Sequence, residues 1–335
     1  MNYSANTDRH SSKTILPLTK HGFAASQLVL GFMAHGGGWN DNPVTLSELK
    51  RAHDAVETAL SVGINMFDHA DIYSKGKAEL LFGQVLKERP EIRDKIIIQS
   101  KCGIRAAEGP IPSRFDFSKD HIIASADGIL NRLGLEKLDI LLLHRPDPLI
   151  EPEEVAEAFR QLKATGKVDR FGVSNMSAGQ MKLLEAYLDE PLVANQLELN
   201  LLKLDWLEAG IYMNHSEGKD YSFPDGTIEH CRLLNVQLQA YSPLARGLFS
   251  GGDRSNASAA VQETAALVAR MAEEKDTTKE AIVLSFLLRH PAHIQPVIGT
   301  ADPDRIRACS EAMKVNLSHG EWYQLYVTSR GRGMP

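Results

Sequence analysis

A chain of 335 residues with 43% hydrophobic and 24% charged side chains has the make-up of a soluble globular protein, long enough for two domains or one large α/β barrel. No apolar run approaches the roughly 18 residues of a membrane-spanning helix, and a net charge of −6 offers no global attraction to nucleic acid or anionic lipid. Cys102, Cys231 and Cys309 form no CxxC pair, which argues against a disulfide framework or a structural zinc site and for a reducing compartment.

The N-terminal segment MNYSANTDRHSSKTILP carries no apolar signal core, so cytoplasm is the expected location. Residues 14–25 are expected to form a hairpin closing the bottom of a barrel, and QLVLGFMA (27–34) the first strand. HGGGWND (35–41) is rich in glycine but lacks G-x-G-x-x-G and does not run straight into a helix, so it reads as a flexible mouth loop that presents Trp39. Leu49, Ala52, Val56, Ala59 and Leu60 trace one helical face, with Thr45 and Glu48 as a capping box and Gly63 as a stop. The strand INMFDHA (64–70) follows, and Leu81, Phe82 and Val85 mark the core face of the next helix.

KIIIQSK (95–101), LDILLLHR (138–145), VDRFGVSN (168–175), LVANQLEL (192–199), VQLQAYSPL (236–244) and IQPVIG (294–299) read as further strands. Their continuous apolar centres point to burial on both faces, as in a parallel sheet. Helical periodicity separates them, over Ile122–Leu133 before Gly134 and over Val155–Leu162 between Pro152 and Gly166. Two helical segments (260–275 and 277–290) lie before the last strand, and 201–226 is a long insertion. Strand and helix in strict alternation specify parallel pairing with right-handed crossovers. Eight strands at this spacing favour a closed (β/α)8 TIM barrel over an open doubly wound sheet, with no Pro/Gly/Ser-rich linker to divide residues 1–335.

Catalytic groups of such barrels stand at the C-terminal ends of the strands. That rule selects Asp68, with Tyr73 in the following loop, Lys101, His144, Ser174-Asn175, Gln196, Tyr241-Ser242 and Gly299-Thr300. An ammonium beside a carboxylate and a phenol tunes proton transfer: Asp68 neutralises Lys101, whose charge favours loss of the Tyr73 proton. A neutral His144 then suits orienting a substrate oxygen. Cys102 reads as a buried small residue.

GINMFDHADIYSKGKAELLFGQVLK (63–87), with Asp68 and Tyr73 in D-x4-Y spacing, resembles the second strand and loop of the aldo-keto reductase family. IIIQSKCG, LDILLLHRPD, GKVDRFGVSN, AYSPLARG and VIGTADPDRIRA follow in the family's order, so the resemblance spans most of residues 14–315. It implies NAD(P)H-dependent, reversible reduction of aldehydes or ketones, with Tyr73 as the acid, Lys101 and Asp68 assisting, and His144 aligning the carbonyl. By the same matching Met33 is a cofactor-binding residue, Ser174, Asn175 and Gln196 hold the nicotinamide carboxamide, and Tyr241 stacks on its ring. Ser242, Leu244 and Arg246 lie along the pyrophosphate. Gly299, Thr300 and Arg305 hold the adenosine phosphate, which implies NADP. Cys309 replaces an Asn common in the family, and Gly299 a basic residue of some branches.

Trp39 is the expected wall of the pocket for a small carbonyl substrate. No nucleic acid, membrane or metal enters this reading, and the oligomeric state is not legible. Two rivals compete with it: a cofactor-binding redox sensor with slow turnover, and a metal-dependent barrel hydrolase using Asp68-His69-Ala70-Asp71 and His144-Arg145-Pro146-Asp147. Against the second, Lys101 would repel a cation, and no HxH or HExxH spacing exists.

Overall fold

The computed structural model describes residues 15–335. Eight parallel strands close a barrel: β1 (Val29–Gly31), β2 (Met66–Asp68), β3 (Ile97–Cys102), β4 (Leu138–Leu143), β5 (Val168–Ser174), β6 (Ala194–Glu198), β7 (Gln237–Tyr241) and β8 (Gln295–Ile298). Neighbours in sequence are neighbours in space, and β1 completes the ring by pairing with β8 in the register Val29↔Val297, Leu30↔Ile298. The TIM-barrel expectation therefore holds.

The connecting helices are α1 (Leu46–Ser61), α2 (Lys77–Glu88), α3 (Lys119–Leu133), α4 (Pro152–Ala164), α5 (Ala178–Glu185), α6 (Asp205–Ile211), α7 (Thr227–Leu234), α8 (Ala259–Glu274), α9 (Lys279–Leu288), α10 (Pro303–Ser310) and α11 (His319–Arg330). Local chemistry sets their ends. Thr45 and Glu48 cap α1 reciprocally, the Thr45 hydroxyl accepting from the Glu48 amide and the Glu48 carboxylate from the Thr45 amide. Gly134, at φ 66°, takes the left-handed conformation that ends α3. The insertion 201–226 contains α6 and a 3-10 turn at Ser216–Asp220.

The expected hairpin over 14–25 does not form in its described part. Residues Pro17–His21 make one 3-10 turn, stopped by Gly22 at φ 92°. The physical reason is Pro17, which has no N–H for a strand ladder and locks the φ of a turn. Closure of the bottom is instead a packing event, in which Leu18 and Phe23 join Val29, Met66, Ile97, Ile140, Leu142 and Val193 in an apolar plug.

Beside that plug, at the same levels of the barrel, the interior also carries a file of polar side chains. Gln99, Gln196, Gln239 and Gln295 are all buried, and strand register sets Gln239 opposite both Gln196 and Gln295. Their amides form a ladder. Gln295 Nε2 donates to the Ser26 carbonyl at 2.6 Å, Gln239 Nε2 to Gln295 Oε1 at 3.0 Å, and Gln99 and Gln196 Nε2 to Gln239 Oε1 at 2.9 and 3.1 Å. At its top, Gln99 and Gln196 both donate to Asp68 Oδ1, at 2.6 and 3.0 Å.

Candidate active site

Asp68 ends β2 and Lys101 stands one residue before the end of β3, in a pair of strands whose register matches Asp68 with Gln99. Both are buried. Lys101 Nζ lies 2.7 Å from each Asp68 oxygen, 2.8 Å from the His69 carbonyl and 3.1 Å from Tyr73 Oη. Burial alone works against the ammonium, yet Asp68 and Tyr73 hold it above its ordinary range. Tyr73 sits at the head of the turn Tyr73–Gly76, where Ser74 and Lys75 adopt φ of 50° and 59°. Two consecutive non-glycine residues in the left-handed region mark strained backbone directly after the phenol. Burial, and after it the Asp68 charge, raises the phenol's pKa against the pull of Lys101, so Tyr73 is protonated at neutral pH.

His144 follows β4, its ring 5.9 Å from that of Tyr73 and nearly edge-on at 81°. Burial, Lys101 and Arg145 push it down to about 2, so the imidazole is neutral. Its Nδ1 is sealed from solvent with no partner among the described residues. Asn175 Nδ2 donates to the His144 carbonyl at 3.2 Å and to Ser174 Oγ at 2.8 Å, and Tyr241 Oη donates to Asn175 Oδ1 at 3.0 Å. The ends of β4, β5 and β7 are thereby tied into one wall.

These groups open on a cavity of about 690 Å³ at the C-terminal mouth. Of the residues selected from sequence it brings together Met33, Trp39, Asp68, Tyr73, His144, Ser174, Asn175, Gln196, Tyr241, Ser242, Leu244, Arg246, Gly299, Thr300 and Arg305. Lys101 stands behind this lining, reaching it through Tyr73. Trp39 is held over the mouth because its loop is anchored on the Tyr73 side: Lys75 pairs with Asp41 at 2.8 Å and Lys77 donates to Asn40 at 3.0 Å. Cys309 is buried in α10 and lines no part of the cavity, and Cys102 is buried as expected.

Sequence reasoning missed two sets of residues. The ladder partners Gln99, Gln239 and Gln295 were detectable only as polar residues interrupting apolar strands, with nothing to show which face they occupy. Arg145 lines the cavity beside His144; its place at a strand end was the available signal.

The cavity fits a nicotinamide dinucleotide. Arg246 and Arg305 line its wall without an ion pair or hydrogen bond to any described residue, which leaves two guanidinium forks for phosphate oxygens. Ser242, Ala245 and Arg246 take φ of 51°, 46° and 58°, a strained run on the loop bearing Arg246. An added Cβ at Gly247 would come within 3.2 Å of the Arg305 guanidinium, whereas Gly299 faces open space. Among the described residues no three His, Cys, Asp or Glu side chains converge as a metal-ligand set.

Fold and site together define a nicotinamide-dependent oxidoreductase built on a (β/α)8 barrel. Residues 27–326 match the model of the Aldo/keto reductase family, and the chain belongs to that family. It is 36% identical over 282 residues to the 6-dehydroglucose reductase of Agrobacterium fabrum, covering 83% of this chain and 87% of that protein. It is 34% identical to the oxidoreductase YdhF of Escherichia coli, over 84% of this chain and 88% of that one. Among solved structures the barrel superposes on the glycerol dehydrogenase of Gluconobacter oxydans with a TM-score of 0.74 at 23% identity, covering 91% of each chain. An aldo-keto reductase of Klebsiella pneumoniae, solved with NADPH, gives a TM-score of 0.67 at 23% identity, covering 90% of each chain. The activity is NAD(P)H-dependent reduction of carbonyl compounds.

Proposed function

We propose that the enzyme prefers NADPH and reduces small aldehydes or ketones with Tyr73 as the proton donor. The observation that carries the residue roles is the contact set of Lys101 Nζ, which reaches both Asp68 oxygens, the His69 carbonyl and Tyr73 Oη within 3.1 Å. In that set Tyr73 Oη accepts from the ammonium. Its own proton is then directed to the cavity, where a carbonyl oxygen collects it as negative charge develops there. Departure of that proton leaves a phenolate beside the ammonium, so Lys101 stabilises the donor's spent form. A neutral His144 donates one N–H to the same oxygen and sets its direction. Asp68, held by two glutamine amides, keeps the ammonium charged and in place.

The bound nicotinamide supplies the hydride. Ser174, Asn175 and Gln196 hold its carboxamide; the Gln196 amide nitrogen is committed to Asp68 and Gln239, which leaves Oε1 for the ligand. Tyr241 packs on the ring, with Met33 beside it. Ser242, Leu244 and Arg246 follow the pyrophosphate, and Arg305 with Gly299 and Thr300 takes the adenosine phosphate. Arg305 supports NADPH over NADH because it is a planar cation with no carboxylate partner among the described residues. All of these groups lie within residues 27–326, in keeping with one catalytic domain.

Fluorescence titration with NADPH and NADH in parallel tests this. Arg305→Gln is expected to weaken NADPH about 10–100-fold and NADH hardly at all. Equal losses for both cofactors would remove the phosphate contact from Arg305. Turnover of aldehydes at ordinary reductase rates separates this reading from that of a slow sensor. 6-Dehydroglucose belongs in the first screen because of the relative named for its reduction.

A further inference from the structure

Three arginines line the cavity, and two of them serve the cofactor's phosphates. The third, Arg145, stands at the opposite, catalytic end. It follows His144 directly in the chain, and its guanidinium carbon lies 6.0 Å from the centre of the Tyr241 ring. Its charge acts on both reacting side chains, lowering the pKa of His144 and opposing the rise at Tyr73. It has no ion pair and no hydrogen bond with any described residue. The only carboxylate of the cavity lining is Asp68, which is already engaged by Lys101, Gln99 and Gln196.

We infer that Arg145 is the substrate-binding cation of this enzyme and that the preferred carbonyl substrate carries an anionic group, a carboxylate or a phosphate, a few bonds from the carbonyl carbon. The inference rests on the placement of the reacting carbonyl between Tyr73 and His144. Trp39, Ile72 and Ile104 also line the cavity and add apolar surface with no other charge. A half-buried guanidinium in such a setting costs desolvation that no carboxylate among the described residues offsets, the face of the Tyr241 ring being its aromatic neighbour. A substrate oxyanion offsets it and gains a bidentate contact. The same contact fixes the distance from anion to carbonyl, so that the reacting oxygen falls on the phenol and the imidazole.

Two matched pairs test the assignment: 4-oxobutanoate against its methyl ester, and glyceraldehyde 3-phosphate against glyceraldehyde. Wild-type enzyme is expected to favour at least one anion over its neutral partner about 10–100-fold in kcat/KM, mostly through KM. The pair that shows the preference distinguishes carboxylate from phosphate. Arg145→Gln is expected to collapse that ratio towards one, and Arg145→Lys to restore part of it. NADPH affinity, measured on the same variants by fluorescence, reports whether the cavity is intact. Saturable NADPH binding with no anion preference in the wild type, or with a preference that survives Arg145→Gln, overturns the assignment. So does an equal loss on both members of a pair. Wild type that fails to bind NADPH takes down the cofactor reading and this inference with it.

Discussion

A carboxylate, a cation and a phenol come together twice in this protein. At the barrel mouth Asp68, Lys101 and Tyr73 meet. On the outside, a carboxylate of α6 and residues of α11 form the second set, Glu208, Arg330 and Tyr326. Arg330 Nη2 lies 2.9 Å from Glu208 Oε2 and 2.7 Å from Tyr212 Oη, and the Glu208 and Arg330 side chains are buried. The order of the contacts differs. At the mouth the cation lies between carboxylate and phenol, and the phenol accepts from it. In the clasp Tyr326 Oη donates straight to Glu208 Oε1. Burial, that hydrogen bond and the Glu208 charge push Tyr326 far above the tyrosine range, with Arg330 opposing. One arrangement leaves a proton facing a cavity; the other locks it into a carboxylate. On the proposed function, what the phenol's proton points at, and not the composition around it, separates the acid Tyr73 from the structural Tyr326.

The sharpest break of this comparison is the pair of Tyr→Phe variants. Tyr73→Phe is expected to cut kcat by about 10²–10⁴ and to leave NADPH affinity within a factor of about two in the fluorescence titration. Unchanged turnover would remove the acid role from Tyr73. Tyr326→Phe is expected to leave kcat and KM alone and to cost about 1–2 kcal/mol of stability in thermal unfolding, since Glu208 loses one donor.

The cations come next. Arg330→Met leaves the buried Glu208 carboxylate with Tyr326 and the more distant Arg332, 3.5 Å away, and is expected to cost about 3 kcal/mol, read as a lower Tm at unchanged kcat. Lys101→Met, by contrast, is expected to lower kcat even in whatever fraction folds. It also moves the alkaline limb of the kcat profile upward in pH, because the phenol loses the charge that pulled its pKa down. An unmoved limb with normal kcat would mean that Lys101 is structural, like Arg330.

The smallest effect concerns a third carboxyl, Asp71, two residues before Tyr73. Burial and the Glu79 charge raise it from 3.8 to about 7, against Arg132 and Lys101, and its Oδ1 is sealed without a partner. The native state therefore binds this proton more tightly than the unfolded chain. The corresponding stability is present below about pH 4 and is lost as pH rises through about 7. Asp71→Asn is expected to raise Tm by about 1–3 °C at pH 8 and by less at pH 5. A gain independent of pH would show that the carboxyl titrates alike in the native and unfolded states.

Much of the barrel was legible because its determinants are local. Apolar runs of β-branched residues, helical periodicity and stops such as Gly134 reveal themselves within a few residues, and alternation then dictates parallel closure. Asp68, Tyr73, Lys101 and His144 were legible for a related reason: in this architecture a strand's C-terminal end is a place in the sequence as well as in space. The hairpin expectation failed at Pro17, where one missing N–H outweighed a plausible turn pattern.

The glutamine ladder and the Glu208 clasp were not legible, because each depends on which face of an element looks inward and on what stands opposite. Gln99 and Gln239 are separated by 140 positions, and Glu208 and Tyr326 by 118. Periodicity within one segment carries no information about such a partner. The sequence by itself determined the barrel, the strand ends and the identity of the four groups that meet there. Only the tertiary structure decided which of two tyrosines gives its proton to a carboxylate and which arginines lack one, since hydrogen-bond direction and charge pairing exist only after distant segments meet.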